Sequence, residues 1–361
     1  MSGMDMFFLF ILIFIPVAVG LIFTPLLTRR TESFGVSIPV DQFKHPDLAK
    51  MRKKYALYMI ILSIVVLVAM LAAANWEPAL PTLLIVYLLL SFLVYLHFHK
   101  IMKAYKAQQN WGKTRKQTVV VDTGFRSQKL TVSNGWFVIG LALALATLTI
   151  TIVMYDKIPE RLPMHTDLHG HVTDWKDKSY RSVLLLPVIQ FYLLGLFAFI
   201  NVMIDRAKAV IDPDAPEASI KRNILFRRRW SGYMILIGTL LTVMMGLEQL
   251  SLIFDINETV INALNMGVIA VIVIGTIILS FMTGQGGSRI KQAEGKDAQL
   301  INRDDDRYWK LGVFYFNRQD PALFIEKRFG VGWTNNFAHP LSWIFIIGII
   351  AIVIIISVIF K

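Results

Sequence analysis

The chain contains no cysteine. That excludes a disulfide framework, a thiolate metal site and a thiol nucleophile. Charge is also scarce. Only 17% of the 361 residues are Asp, Glu, Lys or Arg, where a soluble domain carries roughly 25%. The shortage is concentrated in eight apolar runs, approximately Met6–Leu27, Tyr55–Ala74, Leu80–Leu96, Trp136–Tyr155, Val183–Ile204, Trp230–Leu247, Val260–Met282 and Trp343–Phe360. Crossing a bilayer core takes about 20 apolar residues in a helix. A helix closes its own backbone hydrogen bonds, which lipid cannot do for it. The runs hold almost no ionisable residue: Gln190 lies inside span five, and Asn201, Glu248 and Asn265 lie towards span ends. Ion-coupled transporters place ionisable groups near mid-membrane, so a proton- or sodium-driven transporter is disfavoured. No basic residue precedes the first run, which is long for a signal peptide. It reads as an uncleaved helix ending at Arg29 and Arg30.

What charge there is follows a pattern. The net charge is +12, and 31 of the 37 Lys and Arg fall in 28–54, 98–135, 205–229 and 283–342. These are alternate loops. The intervening 75–79 and 248–259 carry none, and 156–182 carries five balanced by five acids. This is the positive-inside distribution. It predicts a plasma-membrane protein with both termini extracytoplasmic, and it explains the basic surplus through anionic lipid rather than nucleic acid. The expected fold class is an all-α polytopic membrane protein: about eight transmembrane helices with a small cytoplasmic β element. Residues 1–155 would hold spans one to four, with a cytoplasmic hairpin near 117–132. An extracytoplasmic loop follows at 156–182, then spans five to seven at 183–282. A cytoplasmic aromatic-rich segment occupies 283–342, and span eight 343–361.

The loops differ in character. Loop 28–54 is broken by Pro39 and Pro46 and reads as an interfacial segment whose lysines meet lipid headgroups. QTVVVDTGFRSQKLTV, from Gln117, has β-branched runs around Asp122-Thr123-Gly124, a hairpin pattern. Segment 304–338 is rich in aromatics, and Asn317 to Pro321 reads as a turn between two strand-like runs. A small β structure is expected there, either sharing a sheet with the 98–135 hairpin or lying at the lipid interface.

The most informative stretch is LPMHTDLHGHVTDWKDK, from Leu162 to Lys178. His165, Asp167, His169 and His171 alternate, which puts all four on one face of an extended strand. Imidazole and carboxylate suit a divalent metal such as zinc, nickel or copper. A polar turn is the alternative: His165 bonds backbone carbonyls, Gly170 supplies a positive φ, and Asp174 caps the helix entering span five. His165 and Asp174 could also act as a pair, exchanging a proton or reporting external pH. Trp175 reads as an interfacial anchor.

The same loop resembles a membrane family known as domain of unknown function 1648. The pattern is carried by Pro163, His165, Gly170, Asp174, Trp175 and Lys178. DDDRYWKLGVFYFNRQDPALFIEKRFGVGWTNNF, from Asp304, resembles a second family, domain of unknown function 5808. The first family also occurs in SdpI-type immunity proteins, which protect bacteria from a secreted toxin peptide and signal to a repressor. That resemblance implies a bacterial plasma-membrane protein of immunity or signalling type, non-enzymatic, with His165, Gly170, Asp174, Trp175 and Lys178 meeting an external peptide or envelope component. The aromatic segment would dock a cytoplasmic protein partner or the protein's own sheet. His169 and His171 fall outside the family pattern, which favours a shaped hairpin without cofactor over a metal site. A metal-dependent membrane enzyme and a transporter of hydrophobic solute are the alternatives.

Overall fold

The computed structural model describes residues 3–73, 76, 79–111, 128–166, 172–211, 216–254, 256–290 and 305–360. Eight α-helices run through these residues: α1 (Gly3–Leu27), α2 (Pro46–Ala72), α3 (Ala79–Gln108), α4 (Phe137–Val153), α5 (Tyr180–Arg206), α6 (Pro216–Ser251), α7 (Glu258–Thr283) and α8 (Pro340–Ile359). Seven are long and apolar enough to cross a membrane, and α1 adds an apolar stretch over Ile11–Leu27. The chain is a polytopic helical membrane protein. The exposed faces fit lipid: Val65, Leu89, Val138, Ile347 and Val358 stand more than half exposed among other apolar side chains.

The helices form two three-helix units. In the first, α1, α2 and α3 pack around Phe14, Met59, Tyr87 and Tyr95. Buried polar groups pair across it: the Ser63 hydroxyl lies 2.9 Å from the Tyr87 hydroxyl, and the Tyr55 hydroxyl donates to the Leu21 carbonyl at 3.2 Å. In the second, α4, α5 and α6 pack closely, with Ala144, Leu194 and Phe137 in the interface. Gly238 permits the approach, since a Cβ there would already touch the rings of Phe137 and Phe197. Helix α7 lies against both α6 and α1 and joins the units. Helix α8 is held mainly at its ends, and Ser342 is its one buried residue among those described.

Local sequence explains several boundaries. His45-Pro46 and His339-Pro340 open α2 and α8 alike: the imidazole accepts the N–H two residues on, at 3.3 Å, and proline takes the first helical turn. Helix α5 begins with a capping box in which Ser179 and Ser182 each accept the other's backbone N–H. The expected cap, Asp174, instead lies in a strand five residues earlier. Helices α3 and α6 outrun the apolar runs that announced them, by 12 and 14 residues at Gln108 and Pro216. Their extra turns carry Lys106 and Asn223 to Asp306 and Glu326 of the 305–339 segment.

Short antiparallel pairs complete the fold: β1 (Glu32–Ser33) with β2 (Val36–Ser37), β3 (Arg161–Thr166) with β4 (Val172–Asp177), β5 (Trp309–Lys310) with β6 (Phe314–Tyr315), and β7 (Phe324–Glu326) with β8 (Trp333–Asn335). The β1–β2 turn is Phe34-Gly35, both at positive φ, the tight hairpin geometry. The hairpin folds back against the helices. Phe34, Val36 and Ile38 are buried, and Phe34 sits among the rings of Tyr55, Phe98 and Phe329 at 5.4, 5.4 and 6.1 Å. The aromatic segment does form small β structure. Its two strand-like runs, however, pair with nearer neighbours, β6 with β5 and β7 with β8, rather than across the Asn317–Pro321 turn. The hairpin expected near 117–132 falls largely outside the described residues, and 128–132 form no strand.

Candidate functional site

Two polar assemblies stand at opposite ends of the bundle. At one end β3 and β4 form a hairpin between α4 and α5. The register sets Arg161 opposite Asp177, Pro163 opposite Trp175 and His165 opposite Asp174, with irregularities on either side of His165. A register irregularity of this kind twists a strand and re-aims its side chains. Residues 167–171 lie outside the described set, and with them Asp167, Gly170, His169 and His171; His165 is placed through its backbone pairing alone. Asp174 is exposed.

The hairpin is seated firmly. Ile158, Leu162 and Val183 are buried against Leu252 and Ile253 of the turn after α6. The Lys178 ammonium donates to the Ile158 carbonyl at 2.8 Å and lies 4.8 Å from the Tyr155 ring, which stacks on Tyr180 at 4.5 Å. Lys178 thus lies at the hairpin's base, with only 8% of its side chain exposed. Trp175 is 48% exposed with the Arg161 guanidinium 5.8 Å from its ring. The neighbouring Lys176 donates to the Phe360 carbonyl at 2.9 Å, fastening the hairpin to the far end of α8.

At the other end, four loops meet in a cap that the sequence did not announce as a site. Glu326 on β7 is buried and receives the Asn223 amide at 2.6 Å and an ion pair from Arg29. Arg227, wholly buried on α6, lies 3.7 Å from the same carboxylate. Lys106 on α3 donates to Asp306 at 2.7 Å and to Ser37 at 3.0 Å. Arg328 pairs with both Asp305 and Asp306, and also donates to the Gly35 carbonyl at 3.3 Å. Lys208 reaches Asp320 at 2.6 Å, while its backbone N–H donates to Phe324. A cleft opens beside these pairs, lined by Arg29, Lys208, Trp309, Asp320 and Arg328 among others. Its cations face carboxylates, so the chemistry is that of a clamp across four loops.

Asp320 shows how the clamp depends on ionisation. Burial pushes its carboxyl up, but the Lys208 ammonium, the Ala322 N–H and the Tyr315 hydroxyl outweigh it and hold the group below its ordinary value. A depressed carboxyl pKa contributes stability above the unfolded-state value, near roughly 3.9, and loses it as pH falls through the folded value. Asp320→Asn is therefore expected to lower the melting midpoint at pH 7 and to reduce the loss of stability between about pH 5 and pH 2. Parallel acid profiles for variant and parent would contradict this account.

Residues 142–191 match a family model described as Domain of unknown function (DUF1648). Residues 318–343 match a second, described as Family of unknown function (DUF5808). Both resemblances read from the motifs are thus borne out. The first match runs from mid-α4 through the β3–β4 hairpin to mid-α5. The second covers the cap from Arg318 into the first turn of α8, including Asp320, Glu326 and Arg328. No curated protein and no solved structure matches the chain.

Sequence reasoning isolated the hairpin because its polar residues are contiguous. It missed the cap because Lys106 and Asp306, or Gly35 and Arg328, stand 200 and 293 residues apart. The signal that could have found it was modest: buried-looking Glu326 and Arg328 inside an aromatic run, and the charge-dense Asp304–Asp306.

Proposed function

We propose that the chain is a bacterial plasma-membrane protein of immunity or signalling type, whose β3–β4 hairpin meets an external peptide or envelope component. The carrying observation is mechanical. Lys176 in the hairpin holds the Phe360 carbonyl at the end of α8, and the other end of α8 runs directly into the cap. One lightly packed helix therefore links the two assemblies.

The charge distribution supports the orientation: the cap end carries the basic loops and faces the cytoplasm, and both termini face outward. Within the hairpin, His165, Gly170, Asp174 and Trp175 form the recognition surface, with Lys178 bracing its base. The cap would present a cytoplasmic face to a protein partner.

Orientation is tested in this cysteine-free chain by Thr166→Cys. An impermeant thiol reagent added outside intact cells is expected to label it; labelling only after lysis would reverse the orientation. Function is tested by Trp175→Ala and Lys176→Ala in cells challenged with secreted toxin peptides. Loss of tolerance at unchanged protein level is expected. Full tolerance and an unchanged envelope-stress response in both variants would sink the reading.

A further inference from the structure

The α4–α5–α6 interior contains polar groups that neither assembly uses. Gln190 on α5 is fully buried. Its amide N–H donates to the Thr242 carbonyl at 2.8 Å, which fixes the orientation of the amide and aims Oε1 the other way. Gln249 on α6 is 1% exposed. Gln190 Oε1 and Gln249 Nε2 are both buried atoms without a hydrogen-bond partner among the described residues.

The two belong to one region. Gly238, Thr242, Gly246 and Gln249 follow one another at helical spacing along the face of α6 that meets α4 and α5. A Cβ on Gly246 would lie 3.2 Å from both Gln190 Nε2 and Thr147 Oγ1, so glycine keeps room at that level. One turn further out stand Gln249 and, on α4, Thr151, which is also fully buried. On α5 that level is taken by Pro187, inside the helix. Proline has no N–H, so the buried Val183 carbonyl loses its helical donor. The interior thus offers one unpaired donor, Gln249 Nε2, and one unpaired acceptor, Gln190 Oε1, with the carbonyl that Pro187 deprives of its helical N–H on the adjoining turn of α5.

We infer that this interior binds a water molecule, which accepts from Gln249 Nε2 and donates to Gln190 Oε1 and the Val183 carbonyl. The donor–acceptor balance selects the ligand. A metal cation cannot accept from an amide N–H, and an anion cannot donate to an amide oxygen. Water does both, and about three partners is the usual number for a buried one. At membrane depth bulk solvent cannot serve these groups, and leaving them unmet is costly. The bound water would hydrate the proline-weakened turn of α5 directly beneath the hairpin's apolar seat.

Water-edited NMR on the full chain in bilayers, with glutamine side chains labelled with nitrogen-15, tests this. The Gln249 amide is expected to receive magnetisation from water, its signal identified by loss in Gln249→Leu. Gln190→Leu is expected to weaken that transfer at least twofold. A Gln249 amide signal with no transfer from water would overturn the proposal, as would transfer indifferent to Gln190→Leu. Stability gives an independent sign. Removing an orphaned amide raises the melting midpoint, whereas removing a water's partner lowers it. A lower midpoint for Gln249→Met, close to the parent in volume, is expected; a higher one counts against the site.

Discussion

Replacing Arg227 by alanine is expected to destabilise the protein by about 3 kcal/mol or more. Its guanidinium does what no neighbour can take over. Nη1 donates to the Ile204 carbonyl at 2.6 Å and the Asp205 carbonyl at 3.1 Å, and Nη2 donates to the Ala207 carbonyl at 2.8 Å. These are the carbonyls that α5 leaves unpaired at its C-terminus. Nε donates to Asn223 at 2.6 Å, which orients the Asn223 amide towards Glu326. One buried side chain therefore caps α5 from α6 and holds the partner of the cap's central carboxylate. Alanine leaves several of these groups unserved at once. Arg227→Lys keeps the charge but offers a single ammonium in place of a planar fork, so an intermediate loss is expected. Thermal unfolding of the detergent-solubilised chain decides it. An alanine variant within roughly 1 °C of the parent would mean that the capping contributes nothing. The direction of the effect is clear because Glu326 keeps its pair with Arg29. The carboxylate is therefore not stranded, and the loss combines the capping of α5 with the weaker hold of Arg227 and Asn223 on Glu326.

The spans were legible because hydrocarbon imposes a length and a composition on each. Their ends were not. The last turns of α3 carry Lys103 and Lys106, and the first of α6 carry Lys221 and Arg222, so hydropathy stops before the helix does. Those turns are stabilised by tertiary contacts such as Lys106 with Asp306, which no local pattern encodes. The same holds for Ser179 and Ser182. A single serine says little, but two at capping-box spacing define the start of α5 better than the nearby acids do. The hairpin was legible as a polar element with His165 and Asp174 near one another, and the register pairs the two residues. Its metal-ligand reading depends on residues 167–171, outside the described set. Asp320 and Arg328 were visible only as members of a motif. Their work depends on Lys208, Gly35 and Asp306, which folding alone brings to them.

The cap's junction with α3 should fail at two glycines. Gly35 and Gly312 lie at φ +75° and +73°, where L side chains are strained, and their turns touch. A Cβ on Gly35 would stand 2.6 Å from the Gly312 carbonyl oxygen and 2.8 Å from its Cα. A Cβ on Gly312 would stand 2.7 Å from two atoms of the His99 ring. That ring cannot swing aside freely, since Nδ1 lies 2.8 Å from the Phe34 carbonyl. The Tyr95 hydroxyl, donating to the Leu311 carbonyl at 2.9 Å, closes the same junction. Left-handed strain of roughly 1–2 kcal/mol and overpacking of about 1–3 kcal/mol add here. Gly35→Ala and Gly312→Ala are each expected to destabilise by about 2–5 kcal/mol. The damage should be local as well as large. Segment 305–339 would become open to protease, because its contacts with β1–β2 and α3 are lost while those with Asn223 and Gln285 remain. Labelling of Thr166→Cys from outside should not change, since the hairpin rests on α4, α5 and the α6–α7 turn. Protease resistance equal to the parent in both variants would show that the two turns can separate without releasing the cap. A cap released with the hairpin undisturbed would show that the two ends of the bundle fold as separable assemblies, joined by α8.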